Sequence, residues 1–340
     1  MNSYLQCLTY HLPEKVLTND DLRKEFPGWN IDELYHSTGI YKRHIAAKNE
    51  IPSDLAVAAA EKLFAGYGIE REEIDFIIFC TQSNDYYLPT TACIIQDRLN
   101  IKRFPGAIDI NQGCTGFIYG LSVADGLVQS GAAEKILLLV AETSTHYVYH
   151  KDKSSRFVFG DGAAACIVSK HADNKSFKIG SFVLGSDGKG SSKIIVKYGG
   201  ARYPVEEMQD EEYSDEYGNI RSERSLYLDG NAVFMFSLKT VPMMVNRLLE
   251  KSGYSKEDID IFAFHQASKI TLETLRNKLK IPEKKMIIDI MDYGNTASSS
   301  IPIVLTNAIE HGKIKKGDKI LLASFGVGFS WASTIITAVT

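Results

Sequence analysis

One sequence pattern occurs twice in this chain, and it constrains the fold more than any other feature. The stretches Ile69–Phe79 and Tyr254–Phe264 each contain two adjacent acidic residues, then Ile-Asp, then a short apolar run that ends in Phe. They lie 185 residues apart, and Gly68 and Gly253 precede them at the same offset. An internal repeat that is overlooked leads to the wrong fold. Because a single match is within chance, the interpretation depends on further matches in the same order.

Two further matches follow downstream in that order. Ala107–Ile110 resembles Ile287–Ile290, and Lys135–Ala141 resembles Lys319–Ala323. Each member of the first pair precedes a polar turn and then a stretch rich in small residues. Several ordered matches favour duplication of one unit over coincidence.

The repeated unit predicts the fold class. Helix-like stretches at 55–67 and 241–252 precede the first match in each half, so each half is predicted to run helix, strand, loop, strand, helix, strand. Short apolar runs between helices are typical of buried strands in a mostly parallel sheet. We therefore predict an α/β protein of two similar halves, residues 1–173 and residues 174–340, packed as layers of helix and sheet.

Composition and charge exclude several classes of protein. Of the 340 residues, 44% are hydrophobic and 24% are charged, values near the average for globular domains, so disordered and collagen-like chains are excluded. The net charge is −4. Because there is no basic surplus, neither nucleic acid nor an anionic membrane is expected as a partner.

The cysteines and the apolar runs predict where the protein resides. The five cysteines are an odd number and include no Cys-x-x-Cys pair, which argues against a disulfide framework and a cysteine-based zinc site. Aliphatic runs such as Ile136–Ala141 are too short to span a bilayer. A soluble, cytoplasmic, reduced protein is the expectation.

The repeat also predicts which polar residues meet. Cys80 and His265 lie 185 residues apart, each just past an equivalent strand. Cys114 and Asn295 follow equivalent strands and occupy turns that differ by one residue in spacing. A pseudo-twofold axis between the halves would bring these turns together, so Cys114, His265 and Asn295 are predicted to form one polar cluster.

Cys114 is the candidate nucleophile of that cluster. It stands between glycines, after a predicted strand and before a predicted helix, and a helix N-terminus lowers the pKa of a thiol. The alternative is a small buried hydrophobic residue. For His265 the alternative is a structural histidine at a strand end, and for Asn295 it is an ordinary helix-entry turn.

Three further segments fit a site. Phe159–Ala163 is a tight turn followed by small residues, and Phe325–Phe329 is a glycine-rich turn that could aim a backbone N–H at a substrate oxygen. The latter is not a phosphate loop, because no Gly-Lys-Ser/Thr follows it. Tyr86–Pro89 is an aromatic loop that either lines an apolar tunnel or packs on the surface.

Taken together, these residues resemble the β-ketoacyl-acyl-carrier-protein synthase III family of thiolase-fold condensing enzymes, along nearly the whole chain. The marks are Gly39-Ile with Arg43-His-Ile, Gly-Cys114-Thr-Gly-Phe, the Phe159 turn, His265-Gln-Ala, Gly294-Asn-Thr and Gly328-Phe-Ser-Trp. The resemblance implies a five-layered αβαβα fold in a homodimer, with an acyl-CoA and an acyl carrier protein as partners and no metal or redox cofactor.

The resemblance assigns a role to each member of the cluster. It implies that Cys114 takes the acyl group, and that neutral His265 and Asn295 stabilise the enolate formed when a malonyl thioester loses CO₂. Backbone N–H groups of Cys114 and Val327 would hold the second oxyanion. The implied reaction is a decarboxylative Claisen condensation that gives a 3-oxoacyl thioester and initiates fatty-acid synthesis.

Further substrate-binding candidates come from the same resemblance. Leu88 aligns with a position that gates the acyl pocket across the dimer interface, and Lys153 and Arg156 are candidates for phosphate contact, with surface solvation as their alternative. The remaining candidates are Asn231, Phe234, Gln266 and Lys269.

The chain departs from the family pattern in ways that concern substrates. The segment before Thr38 lacks the Trp and Arg that clamp the CoA adenine in the family. Ile270 occupies the position of an Arg that receives the carrier protein, with Lys269 as a partial substitute. Val327 stands where glycine is usual. Two alternatives therefore stay open. One is a related condensing enzyme or acyltransferase of a secondary pathway (aryl or resorcinol lipid, or polyketide), and the other is a catalytically silent binding paralogue.

The segment 206–224 is a further departure, with eight carboxylates against two arginines. It is interpreted as a solvated loop. Carrier proteins are acidic, so this segment is expected to lie away from a carrier-docking face, or the partner differs.

Overall fold

The computed structural model describes residues 2–102, 104–173, 175–208, 211–216 and 218–339. The strands that precede residue 174 are β1 Tyr4–His11, β2 Val16–Thr18, β3 Lys42–His44, β4 Phe76–Cys80, β5 Gly106–Ile110, β6 Lys135–Glu142 and β7 Gly162–Ser169. The helices there are α1 Asn19–Glu25, α2 Ile31–Thr38, α3 Pro52–Tyr67, α4 Thr91–Arg98, α5 Gly116–Ser130 and α6 Lys153–Arg156.

The later strands are β8 Phe177–Ser186, β9 Ile194–Ile195, β10 Glu212–Ser214, β11 Ile220–Ser222, β12 Tyr227–Leu228, β13 Ile261–Phe264, β14 Met286–Ile287, β15 Lys319–Gly326 and β16 Ser330–Ala338. The later helices are α7 Gly230–Ser252, α8 Lys269–Leu279 and α9 Ser300–Glu310.

Ten strands form one sheet, in the order β14-β13-β15-β16-β8-β1-β7-β6-β4-β5. Read outward from the β8–β1 junction, each side places its strands in the same sequence: β8, β16, β15, β13, β14 on one side and β1, β7, β6, β4, β5 on the other. The strand order thus carries the twofold pseudo-symmetry that the repeat predicts. The boundary at residue 173 lies between β7 and β8; it stays a prediction, and Asn174 lies outside the described residues.

The register of the two halves agrees residue by residue. Phe79 of β4 pairs with Leu139 of β6, and Phe264 of β13 pairs with Ala323 of β15. Cys80 is the last residue of β4, and His265 follows β13 directly. The repeated strands therefore end at the same level of the sheet, as the offset predicted.

Alternation of side chains along the strands creates the layers. One face of the first half-sheet packs on α3 and α4, and the corresponding face of the second packs on α7 and α8. The opposite faces of both half-sheets share one core with α5 and α9. The sequence of layers is αβαβα, which confirms the predicted fold class.

Two predicted element boundaries were wrong. The connection expected to be a loop is a helix in both halves, α4 and α8, because two parallel strands need a crossover connection. The helix predicted at 241–252 begins already at Gly230 and continues through Pro242; these two helix-breaking residues had hidden its first turns. Among the described residues, α7 is the one helix that by length and apolar composition alone could cross a membrane. Its residues Val241, Met244, Val245, Leu248 and Leu249 pack in the core.

Part of the acidic segment is a β-hairpin rather than a loop, although Glu206, Glu211, Glu212 and Glu216 are exposed to solvent as expected. β10 and β11 form an antiparallel pair within it. Arg221 is only 6% exposed and lies 3.0 Å from a carboxylate oxygen of Asp215. Glu212 and Glu223 pair with Lys151 and Lys197 at 2.8 and 3.1 Å. The ion pairs with Lys151 and Lys197 hold the hairpin against the body of the protein; Asp210 of the segment lies outside the described residues.

Candidate active site

A cavity of about 1200 Å³ opens where the carboxyl ends of the two half-sheets meet. Its lining includes Cys114, His265, Asn295 and Val327. These residues come from both halves of the chain, as the pseudo-symmetry predicted. The cavity therefore brings a thiol, an imidazole and a carboxamide to one space.

Cys114 lies in the turn between β5 and α5 and is held from the other half of the chain. The Ser324 hydroxyl of β15 donates to the Cys114 carbonyl oxygen, and the neighbouring Thr115 hydroxyl lies 2.9 Å from the Ser330 hydroxyl of β16. A Cβ added at Gly326 would meet the Cys114 sulfur at 2.7 Å. Glycine at 326 is thus required for the sulfur to occupy this position.

The thiol of Cys114 does not have the lowered pKa that its position before a helix predicted. Burial raises its pKa to about 11, and the Glu142 carboxyl adds to the rise. A hydrogen bond from the Val327 backbone N–H acts in the opposite direction but is outweighed. Helix α5 begins only at Gly116, behind Thr115, so desolvation dominates over the helix dipole. The resting cysteine is a neutral thiol at neutral pH.

His265 is a neutral, buried imidazole. Its backbone N–H donates to the Ala323 carbonyl at 2.8 Å, which continues the β13–β15 pairing past the strand end. Its Nδ1 lies 2.7 Å from the Ser300 hydroxyl oxygen. Burial lowers the pKa of His265 to about 4, only partly opposed by a hydrogen bond to the Ala297 backbone. The ring therefore acts as a neutral hydrogen-bonding group near pH 7.

Asn295 presents its amide N–H₂ group to the cavity. The Ala297 backbone N–H donates to Asn295 Oδ1 at 3.0 Å, which occupies the oxygen and leaves Nδ2 as the free end. Gly294 before it has φ +69°, and a Cβ there would approach the Val158 carbonyl to 3.0 Å. The glycine thus allows the sharp turn that aims the carboxamide.

The predicted turn at Phe159 supports this asparagine from the first half. The Asn295 backbone N–H donates to the Val158 carbonyl at 2.9 Å, and the Gly160 N–H donates to the Asn295 carbonyl at 3.1 Å. A Cβ at Gly160 would lie 2.3 Å from the Tyr293 carbonyl oxygen. Small residues here allow the two backbones to approach, as the sequence indicated.

The other predicted site residues are placed unevenly. Phe234 and the aromatic residues Tyr86 and Tyr87 line the cavity. The remaining substrate-binding candidates do not line the cavity of their own chain: Leu88, Lys153, Arg156, Asn231, Gln266 and Lys269. Their assignment stays a prediction.

Two of these six, Arg156 and Gln266, have a polar partner in the described part of the chain. Leu88 is 82% exposed. Arg156 pairs with Glu25 at 3.4 Å. The Gln266 side chain donates to the Phe264 carbonyl at 2.7 Å and accepts the Asp289 N–H at 2.8 Å, so it ties β13 to the segment after β14.

Sequence reasoning missed several residues of the cavity. Glu142, at the end of β6, lines it as a buried carboxyl, and burial raises its pKa to about 8. Residues 194–196 and Leu226 form part of an apolar wall. Met208 and Arg224 of the acidic segment, with Val205 just before it, line the cavity as well. No motif marked Glu142, which follows the repeated stretch Lys135–Ala141 directly. The other positions come from the region that differs between the halves.

The geometry defines a chemistry. A thiol can form a covalent acyl intermediate, and two neutral donors at the same cavity can stabilise a developing oxyanion. No group of three or more His, Cys, Asp and Glu side chains suited to a metal ion occurs in the described part of the chain. A five-layered fold with this site defines a thiolase-fold acyltransferase.

Comparison with known proteins narrows the class to a family. Residues 108–188 match the model of 3-oxoacyl-[acyl-carrier-protein] synthase III, and residues 249–338 match that of its C-terminal part. Beta-ketoacyl-[acyl-carrier-protein] synthase III of Campylobacter curvus is 37% identical over 99% of this chain and 97% of its own. The enzyme of the same name from Caldanaerobacter subterraneus is 36% identical, over 96% and 95% respectively. A crystal structure of a 3-oxoacyl-(acyl-carrier-protein) synthase III superposes with a TM-score of 0.95 at 43% identity, covering 99% of both chains.

This chain belongs to the β-ketoacyl-[acyl-carrier-protein] synthase III family. The expected resemblance is confirmed over nearly the whole length, and with it the expectation of an acyltransferase.

Proposed function

We propose that this protein catalyses the decarboxylative Claisen condensation of an acyl group with a malonyl-acyl-carrier-protein thioester, the step that initiates fatty-acid synthesis. One observation carries the proposal: the thiol of Cys114 shares a single cavity with the neutral donors His265 and Asn295. The donors serve decarboxylation and the thiol serves acyl transfer, so one cavity serves both halves of the reaction.

The first half-reaction transfers an acyl group to Cys114. The sulfur attacks the carbonyl carbon of an acyl-CoA, the carbon–sulfur bond to CoA breaks, and the thiol proton leaves with the departing CoA thiolate. The Cys114 and Val327 backbone N–H groups hold the oxyanion. Because burial raises the pKa of Cys114 to about 11, the sulfur loses its proton as it attacks rather than beforehand.

The second half-reaction forms the new carbon–carbon bond. The malonyl thioester loses CO₂, and its electron pair moves into an enolate whose oxygen accepts hydrogen bonds from His265 Nε2–H and Asn295 Nδ2–H. The enolate carbon attacks the acyl-Cys114 carbonyl, and the sulfur leaves as a thiolate while the 3-oxoacyl thioester forms. A proton from water then restores the Cys114 thiol. A neutral imidazole suits this role because it donates one N–H without taking a proton, and the low pKa of His265 keeps it neutral.

The proposal needs no metal or redox cofactor, since every step is an acyl transfer or a loss of CO₂. We also propose that the protein is cytoplasmic and forms a homodimer. The loop Tyr86–Pro89 supports the homodimer, because Tyr86, Tyr87 and Leu88 are more than half exposed and large apolar side chains of this kind favour a partner surface. Leu88 would then reach the partner's cavity and limit acyl length there.

Intact mass and CO₂ release test the two half-reactions separately. Incubation with a panel of acyl-CoAs should give one acyl adduct, which Cys114→Ala abolishes. Release of CO₂ from malonyl carrier protein should persist in Cys114→Ala and collapse in Cys114→Ala combined with His265→Ala. Absence of an adduct with every donor, or normal decarboxylation without His265, would overturn the proposal.

One observation favours a second acceptor. The acidic segment contributes Met208 and Arg224 to the cavity wall. The exposed carboxylate of Glu206 follows Val205, another residue of that wall, and its charge would repel an acidic carrier protein. An alternative is therefore condensation onto malonyl-CoA or another small thioester. Measuring kcat/KM for malonyl-CoA and for malonyl carrier protein decides between the two acceptors. A wild-type preference for the carrier protein that is the same in the double variant Glu206→Gln with Glu211→Gln refutes the alternative.

A further inference from the structure

We propose that Ser300 is a positioning residue that fixes the tautomer of His265, by donating its hydroxyl proton to Nδ1 so that the ring proton stays on Nε2. The inference rests on the proposed function, because it concerns the nitrogen that faces the substrate.

The hydrogen bonds around Ser300 determine which atom accepts its hydroxyl proton. Ser300 is 3% exposed, and its oxygen lies 2.7 Å from His265 Nδ1. The same oxygen accepts the Gln266 backbone N–H at 3.4 Å. A hydroxyl carries one proton, and among the described residues His265 Nδ1 is the one acceptor that the structure places against this hydroxyl. Nδ1 is therefore the acceptor, and the proton of the neutral ring resides on Nε2.

The tautomer matters because the two neutral forms have opposite effects on an enolate. With the proton on Nε2 the ring donates toward the cavity. With the proton on Nδ1 it presents a lone pair to the developing negative charge. His265 is only 1% exposed, and the Phe325 ring lies edge-on to it at 5.9 Å between centroids. Solvent therefore does not equalise the two forms.

The same short segment orients the second donor. The Ala297 N–H occupies Asn295 Oδ1, just as Ser300 occupies His265 Nδ1. Ala297 has φ +47°, a left-handed conformation that costs about 1 kcal/mol or more in a residue with a Cβ. Strain at this residue and the placement of Ser300 three residues later both serve to turn N–H groups toward the cavity.

Nitrogen NMR tests the assignment directly. Histidine labelled with ¹⁵N in Cys114→Ala protein gives long-range proton–nitrogen couplings that distinguish the two tautomers, and His265→Ala identifies the signal among the eight histidines. The parent should show Nε2–H. Ser300→Ala should shift the population toward Nδ1–H, and Ser300→Thr, which keeps the hydroxyl, should restore it. A parent signal from Nδ1–H, or an unchanged tautomer in Ser300→Ala, overturns the proposal.

Decarboxylation gives a second readout. Ser300→Ala should lower kcat for CO₂ release on the order of tenfold, the value of one hydrogen bond, with KM little changed. Ser299→Ala is the matched control: Ser299 is equally buried, but its hydroxyl donates to the Thr296 carbonyl at 2.9 Å and does not contact His265. An equal loss in both variants would mean a structural role. If the parent releases no CO₂, the proposed function fails, while the NMR result still judges Ser300.

Discussion

Replacing Glu142 by glutamine should stabilise the protein in a way that depends on pH. The carboxyl is buried, accepts the Gln82 backbone N–H at 2.9 Å and contacts the Ser83 hydroxyl at 3.3 Å. Burial raises its pKa from 4.5 to about 8, and the nearby Asp161 adds to the rise. The folded protein therefore holds a neutral acid at neutral pH, and glutamine is its uncharged equivalent in shape.

The sign and the size follow from proton linkage. Between pH 4.5 and 8 the folded state retains a proton that the unfolded state has lost, so this group's contribution to stability falls as pH rises. One pKa unit corresponds to about 1.4 kcal/mol. From pH 5 to pH 7.5 the wild type should lose about 3 kcal/mol relative to Glu142→Gln, and above the folded pKa of about 8 the difference should level off.

Urea unfolding of both proteins at half-unit steps from pH 5 to 9 measures the difference. Glu134→Gln, an exposed glutamate paired with Lys170 at 3.2 Å, controls for the loss of a surface carboxylate. A free-energy difference between wild type and Glu142→Gln that stays constant across this range would refute the reasoning. That result would mean that the buried carboxyl ionises as readily as in the unfolded chain.

Three other perturbations have defined outcomes. Gly326→Ala places a Cβ 2.7 Å from the Cys114 sulfur, so acyl-adduct formation by mass spectrometry should fall at least tenfold, while a near-normal adduct would show that the turn adapts. Release of CO₂ by Cys114→Ala should hold level from pH 8 to about 5.5 and fall only toward pH 4, where His265 becomes protonated; a midpoint near 6.5 would contradict the buried imidazole. Arg221→Met removes a buried cation that faces Asp215 at 3.0 Å, so it should lower the free energy of unfolding by about 3 kcal/mol. It should also speed up amide hydrogen exchange in residues 211–222. An unchanged exchange rate would mean that the ion pair does not hold the hairpin.

The fold was predictable because the repeat contains residues that make the same structural contact in both halves. Asp75 accepts the Lys135 backbone N–H at 3.1 Å, and Asp260 accepts the Lys319 N–H at 2.9 Å. Each aspartate fixes the start of the neighbouring strand, β6 or β15, and so sets the register. A contact of this kind depends on local sequence, and the Ile-Asp pattern reveals it without a structure.

The features that escaped prediction depend on packing across long sequence separations. The pKa of Cys114 follows from how much protein surrounds the sulfur, which no local pattern records, so the helix-terminus argument gave the wrong direction. The apolar wall at 194–196 and the docked acidic segment belong to the region present in one half alone. Ser300 closes a run of three serines, and only its distance to His265 distinguishes it from its neighbours.

Divergence at equivalent strand ends explains why a symmetric fold carries one asymmetric site. Cys80 and His265 occupy equivalent positions, but a Cβ on Gly120 of α5 would meet the Cys80 sulfur at 2.9 Å, so this thiol is sealed in the central core. Burial raises the pKa of Cys80 far above its usual range, which keeps it inert beside a nucleophilic cysteine. At the other strand end, His265 lines the cavity instead. The duplicated fold thus gives two equivalent strand ends. Close packing fills the space at Cys80, whereas the space at His265 is an open cavity in which Ser300 contacts the far side of the imidazole and a substrate can react.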